Sequence, residues 1–200
     1  MMPKVMLDLY SGTGGASEAF RLDDSWRVIR VENDPQFSEV PDTVIQDASW
    51  AFNLLAEEKF ELLWASFPCT EFSRLDQPWT RAKLPPGFKP DMTEALKVSA
   101  LIQHLEPTYY WIETVRGAVP YLTPLFGPPS HHFGPYYLWT NCPSIVLPDG
   151  WKPARKSQEM TGSVQRSAIP IELSEAILEA VSQPTLHLYC NFELGGLDED

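Results

Sequence analysis

Residues 4–9 read KVMLDL, an apolar run that stops at Ser-Gly-Thr-Gly-Gly and continues into the helix-like ASEAFRL. Strand, glycine turn and helix in that order constrain the fold more than any other feature, and the pattern then repeats. WRVIRVEN at 26–33 is a second strand ending in acid, DTVIQDAS a weaker third, WAFNLLAEEKF a helix candidate, and ELLWASFP a fourth strand running into Pro68. Contiguous apolar strands alternating with helices predict an α/β fold: a mostly parallel sheet with crossover helices on both faces. Residues 70–90 read as a long Pro- and charge-rich loop, more functional than connecting. MTEALKVSALIQHLE is an amphipathic helix closed by Pro107, and TYYWIETV is a fifth strand. The stretch 116–135, with Gly117, Gly127, Gly134 and five prolines, reads as irregular. YYLWT and SIVL read as a terminal antiparallel pair joined through Asn-Cys-Pro, and IPIELSEAILEAVS as a closing helix with Pro170 near its start.

With 200 residues the chain has room for one domain, read here as 1–200 with no separate large recognition domain. Its 44% hydrophobic and 21% charged residues fit a soluble globular protein and argue against disorder. There is no apolar run of the roughly 20 residues a spanning helix needs, and MMPKVMLDLY lacks the layout of a secretory leader. A cytoplasmic location is expected. Cys69, Cys142 and Cys190 are an odd, widely spaced set without CxxC, so neither a disulfide framework nor a zinc site is predicted, and no metal is expected.

The formal net charge of −12 speaks against indiscriminate binding of polyanions. After Arg166 there is no Lys or Arg, and the chain ends in an acidic tail at 191–200. Two stretches run the other way. Residues 74–89 carry Arg74, Arg81, Lys83 and Lys89 against Asp76 alone, and residues 152–166 carry Lys152, Arg155, Lys156 and Arg166 against Glu159.

Three constellations carry chemistry. The glycine turn of LDLYSGTGG (7–15) lets a ligand approach the backbone at a helix start; it serves NAD, FAD, S-adenosyl-L-methionine (SAM) or plain strand-on-helix packing. Glu32, at the end of the second strand, is placed to accept hydrogen bonds from a ribose diol, and Asp47, after the third, to contact an adenine amine. Taken singly, both acids are more often exposed turn residues. In ASFPCTEFS (65–73), Cys69 follows the end of a parallel strand, where open α/β sheets build their sites and a thiolate is a good nucleophile. The competing reading is a small buried hydrophobe, which the polar Thr70, Glu71 and Ser73 disfavour. In WIETVRG (111–117), Glu113 ends the fifth strand at the same sheet edge, as a proton donor or as a plain carboxylate paired with Arg116.

Taken in order, LDLYSGTGG, VEND, the aspartate of IQDAS, FPCTEFS and IETV resemble the motifs of the cytosine-5 DNA methyltransferase family. QRSAIPIELSEAI (165–177) is similar to that family's late segment, which returns to the cofactor pocket, so the resemblance spans most of residues 5–181. It implies a Rossmann-like SAM-dependent methyltransferase fold with a terminal antiparallel strand pair, SAM as cofactor and DNA as partner. Cys69 would be the nucleophile that adds to C6 of the base and Glu113 the acid that protonates N3. Cofactor contacts are expected from Asp8, Tyr10, Ser11, Gly12, Gly14, Gly15, Glu32, Asn33, Asp47, Pro68 and Ser167, and substrate contacts from Ser73, Arg74, Arg116 and Arg166. Residues 70–90 would form the catalytic loop and 116–166 a reduced recognition region, with Phe67, Phe72 and Trp79 as stacking surfaces for a flipped base.

The chain departs from the family at three places. Thr70 replaces a glutamine and Thr114 an asparagine, and HHFGPYYLWTN (131–141) stands where a Gln-x-Arg-x-Arg segment would hold the base. His131, His132 and Arg166 are the substitutes on hand. Two other readings stay open: the same chemistry on RNA or a free pyrimidine nucleotide, and a silent SAM-binding or partner-binding module. The small size points to a phage- or mobile-element-encoded enzyme acting in a host cell.

Overall fold

The computed structural model describes residues 2–54, 59–142, 145–147, 150–152 and 169–182. Seven strands form one sheet: β1 (Lys4–Leu9), β2 (Trp26–Glu32), β3 (Thr43–Ile45), β4 (Leu62–Ala65), β5 (Tyr109–Thr114), β6 (His131–Phe133) and β7 (Tyr136–Thr140). Their spatial order is β3-β2-β1-β4-β5-β7-β6. The first five are parallel, and β7 runs antiparallel to both β5 and β6. This is the α/β architecture expected from the sequence, with its mostly parallel sheet and antiparallel terminus.

Alternation along β1 explains the two covered faces. Val5, Leu7 and Leu9 point to one core with Leu63 and Ala65 of β4; Met6 points to the other with Leu62, Trp64 and Trp111. On the first face, α4 (Thr93–Leu105) buries Ala95, Val98, Leu101 and Leu105, a helical stripe. On the second lie α1 (Glu18–Arg21) and α6 (Ile171–Ser182), the latter burying Leu173, Ala176, Ile177 and Val181. Ser174 pins α6 to the turn after β1: its hydroxyl donates to the Ala16 carbonyl at 2.7 Å and accepts the Ala19 N–H at 3.2 Å.

Three stretches differ from the sequence reading. Residues 70–81, read as loop, hold two short helices, α2 (Thr70–Asp76) and α3 (Pro78–Arg81), and the nominally irregular 116–135 holds α5 (Val119–Phe126). Pro78 and Pro120 stand in the first turns of α3 and α5, where a proline's missing N–H removes no helical hydrogen bond. The partner of YYLWT is HHF at 131–133, not SIVL; the two-residue loop Gly134–Pro135 joins β6 to β7, and Ile145–Leu147 forms no strand. Of the helix expected in WAFNLLAEEKF, residues 55–58 lie outside the described residues, and Trp50–Asn53 belong to a 3-10 stretch, Ala48–Asn53, entered through Asp47, whose side chain accepts the Ser49 N–H at 2.9 Å.

Between β1 and β4 the chain reverses its direction of travel across the sheet. Such a switch point opens a crevice at the carboxyl ends of the strands. The glycine turn follows β1, and Cys69 follows β4, so both border that crevice.

Candidate active site

A cavity of about 670 Å³ occupies the crevice, within the range of about 300–1,000 Å³ common for small-molecule sites. Asp8, Tyr10, Ser11, Gly12 and Gly15 line it from β1 and its turn, and Glu32 and Asn33 from the end of β2. Pro68, Cys69, Ser73 and Arg74 line it from the segment after β4 and from α2, and Glu113 from β5. One cavity thus gathers most of the residues singled out in the sequence, including both proposed catalytic groups.

Others stand elsewhere. Gly14 is not on the lining: the buried Arg30 guanidinium packs beneath it and donates to its carbonyl at 2.9 Å. Asp47 is not on it either; its carboxylate holds Lys97 at 3.0 Å and caps the 3-10 stretch. Hydrogen bonds from Ser49 lead, with Lys97, in holding that carboxyl at about 2. Arg116 pairs with Asp76 at 2.7 Å, with 65% of its side chain exposed. Phe72 is buried in the core between Phe67 and Tyr121. Arg166, Ser167 and Cys190 lie outside the described residues.

The glycine turn is held from two sides. Glu32 Oε2 accepts the Gly12 N–H at 2.9 Å, while Oε1 accepts the Asp34 N–H at 3.0 Å. Beneath, Arg30 is 1% exposed and donates to the Ser17 hydroxyl, the Gly14 and Pro41 carbonyls and the Glu18 carboxylate. Arg21 and Arg30 together hold the Glu18 carboxyl at about 2. The Ser17 hydroxyl in turn donates to Asp8 Oδ2 at 2.6 Å. The other Asp8 oxygen, Oδ1, and the Ser11 hydroxyl are buried with no hydrogen-bond partner among the described residues. Burial pushes the Asp8 carboxyl up to about 6, against the pull of Ser17 and Arg30. Tyr10, at φ 59, donates its phenol to Glu94 at 2.5 Å; burial and that carboxylate push the phenol upward.

On the other wall, Cys69 stands at the start of α2 with Ser73 one turn on, and the Ser73 hydroxyl donates to Cys69 Sγ at 3.8 Å. Ala65 and Ile112 are register partners on β4 and β5, so Glu113 is the next residue along β5. Chemically, the cavity combines a thiol with a donor aimed at its sulfur, a carboxylic group on the neighbouring strand, and a polar pocket with a carboxyl oxygen and a hydroxyl that have no partner among the described residues. Among the described residues, no cluster of three or more His, Cys, Asp or Glu is placed to hold a metal ion, and no helix is long and apolar enough to cross a membrane.

Several lining residues escaped the sequence reading. Asp34, Gln36 and Phe37 extend the lining past β2, Trp64 and Ser66 add to it on and just after β4, and Gln77, Thr80 and Ile169 complete it. Phe37 had a usable signal, an aromatic five residues past the strand-end acid. Arg30, beneath the turn and off the lining, had none, since its place beside Asp8 is set by strand register.

No family model matches the sequence, and no curated protein matches it either. Among solved structures the chain is similar to the methyltransferase EhMeth of Entamoeba histolytica, with a TM-score of 0.38 and 13% identity. The match covers 58% of this chain and 39% of that one, well under two thirds of its length. At that remove the likeness carries no weight on chemistry, which rests on the cavity.

Proposed function

We propose that the chain is a SAM-dependent methyltransferase acting on C5 of cytosine in DNA. The observation that carries this reading is the joint placement of Cys69 and Glu113 on one cavity whose opposite wall is the glycine turn with Glu32. The residues present fit the cofactor. Among the described residues nothing approaches within 4 Å of a side chain built on Gly12, which leaves open space over the turn, and none partners Asp8 Oδ1 or Ser11 Oγ. Asp8 and Ser11 would hold the cofactor's polar amino-acid end, Glu32 its ribose hydroxyls, and Phe37 an aromatic base. When bound, the cofactor supplies an electrophilic methyl group on a sulfonium.

The chain's own residues supply the rest. Aromatic C5 is a poor nucleophile; adding the Cys69 thiolate to C6 while Glu113 delivers a proton to N3 turns C5 into an enamine-like carbon. Ser73 donates to the sulfur and steadies its negative charge before attack. C5 takes the methyl group as its bond to the sulfonium breaks and leaves a neutral thioether; the C5 proton then passes to water, the C6–S bond breaks to release the Cys69 thiolate, and the N3 proton returns to Glu113, which restores the ring. Pro68 and the first turn of α2 set the sulfur's position, so this wall orients the base as well as attacking it.

Fluorine at C5 blocks the final proton loss, so DNA carrying 5-fluorocytosine tests every part at once. Intact-mass measurement after incubation with SAM and such DNA should show a protein–DNA adduct, absent in Cys69→Ser. No adduct on DNA, with an adduct on RNA or a fluorinated nucleotide, would move the substrate. No adduct on any of them, with SAM bound, would overturn the reading.

A further inference from the structure

Of the seven tryptophans, Trp79 alone is largely exposed, at 66%; the other six are buried or half-buried. An isolated exposed apolar residue needs no explanation. Three features set this one apart. First, the backbone that carries it is held in place. The Thr80 hydroxyl donates to the Arg74 carbonyl at 2.7 Å and to that of Gln77 at 3.0 Å, and the Arg81 and Ala82 amides close α3 onto Gln77 and Pro78. Second, Gln77 and Thr80 on either side of it line the cavity, so α3 and its N-cap border the same cavity as Cys69.

Third, the charge around it is reversed. In a chain of net charge −12, residues 74–89 carry four cations and one acid, and that acid, Asp76, is already matched by Arg116. Arg74, Arg81, Lys83 and Lys89 are all exposed. Arg74 is the sole cation on the cavity lining among the described residues, while Asp8, Glu32, Asp34 and Glu113 populate the rest. A phosphate is therefore repelled from the cofactor side and held at the α2–α3 end. An exposed indole on a hydrogen-bonded turn with basic side chains beside it is the combination that grips single strands: bases stack on the ring and the backbone follows the charges.

We infer that the α2–α3 face seats an unpaired DNA strand, with one base stacked on Trp79 and the neighbouring phosphates on Arg74, Arg81 and Lys83. The base next to the stacked one enters the cavity. This rests on the reading of that cavity as a cytosine site and adds which form of DNA reaches it. An indole on the surface takes up a base face only where that face is vacant, which a strand outside a duplex provides without the cost of unstacking.

The test is fluorescence anisotropy with a short mixed-sequence deoxyoligonucleotide, the matching hairpin duplex, the same sequence as RNA, and deoxycytidine monophosphate as competitor. The single DNA strand should bind most tightly. Trp79→Ala should weaken it roughly 5- to 150-fold, the range for one lost stacking contact, and Trp79→Phe should restore most of it. Arg81→Ala with Lys83→Ala should flatten the salt dependence by about 1.4 in log–log slope, two phosphate contacts on a single strand. SAM affinity should stay within twofold in all of them, which excludes misfolding. Unchanged binding by Trp79→Ala, equal or tighter binding of duplex or RNA, or displacement by the mononucleotide at matched concentration would each overturn the proposal. Methyl transfer from labelled SAM separates the two claims. Trp79-dependent binding without transfer to any nucleic acid sinks the methyltransferase reading alone; transfer to duplex DNA unaffected by Trp79→Ala sinks this surface alone.

Discussion

Gly12 donates its backbone N–H to Glu32 Oε2 at 2.9 Å, so one carboxylate both shapes the glycine turn and faces the cavity. Its second oxygen is engaged by the Asp34 amide. A carboxylate oxygen has two lone pairs, which leaves acceptor capacity for a ribose diol without breaking either bond. Glu32→Gln keeps one carbonyl acceptor and puts an amide where the other oxygen was, opposing an N–H with an N–H. Both Glu32→Gln and Glu32→Ala should therefore weaken SAM binding, by roughly tenfold or more at about 1.5–3 kcal/mol per charged hydrogen bond lost. Isothermal titration reads it. Equal affinity in Glu32→Gln and the parent would mean the carboxylate serves only the turn.

Ser73 offers a finer probe of the nucleophile than replacing Cys69 itself. Its hydroxyl reaches Cys69 Sγ at 3.8 Å from one turn along α2. Ser73→Ala removes the donor, leaves the thiol in place and should cut the single-turnover rate about tenfold, at the low end for a hydrogen bond to a charged group. SAM affinity should not move. Ser73→Thr, which keeps a hydroxyl, should recover part of the rate. A rate equal to the parent's in Ser73→Ala would show that the sulfur is activated by other means.

The elements that build the cavity were the most readable in the sequence, for a physical reason. Parallel strands buried on both faces are contiguous apolar runs, so β1, β2, β4 and β5 announce themselves, and the residues just past their ends border the switch point. Asp47 carries the same sequence signal as Glu32, an acid after a strand, yet its carboxylate caps a 3-10 stretch and holds Lys97. Strand-end position alone does not distinguish an acid that faces the cavity from one that caps a turn. Arg30 is hidden in WRVIRVE because alternation marks position and not partners; only the fold brings Ser17, Glu18 and Pro41 around it. The α2–α3 face was obscured by its prolines and charges, which read as loop. HHF is too short and too polar to register as a strand without β7 beside it.

Two glycines at close backbone contacts should give opposite kinetic signatures. A Cβ on Gly15 would stand 2.3 Å from the Ile169 carbonyl oxygen, and one on Gly117 would stand 2.0 Å from that of Phe72. Backbone oxygens cannot swing aside, so each alanine variant should lose about 1–3 kcal/mol of stability, the range for overpacking. Gly15→Ala forces the glycine turn away from the segment before α6 and should raise the dissociation constant for SAM. Gly117→Ala pushes α2, and with it Cys69, away from the turn after β5 and should lower turnover with SAM affinity held. Titration and single-turnover kinetics on both variants check this; the same signature in both would mean that one rigid unit moves.

Asp8 gives the cavity a pH dependence whose sign is fixed by burial. Its carboxyl is raised from the ordinary 3.8 to about 6, so between those values the folded chain holds a proton that the unfolded chain has released. Stability from this group is therefore fully present below about pH 4 and falls as pH rises through about 6, by about 3 kcal/mol in all at 1.36 kcal/mol per unit. Asp8→Asn still accepts the Ser17 hydroxyl and carries no charge to desolvate. Melting curves of the parent and Asp8→Asn should coincide near pH 4 and diverge toward pH 7, with the variant more stable. The difference between the two isolates Asp8 from the other carboxylates that titrate in the same range. A cationic ligand group on Oδ1 favours the ionised form, so SAM should bind the parent more tightly as pH rises through about 6, and Asp8→Asn should lose that rise. A melting difference independent of pH would show that Asp8 is ionised throughout and that its unpartnered oxygen is neutralised from within the protein.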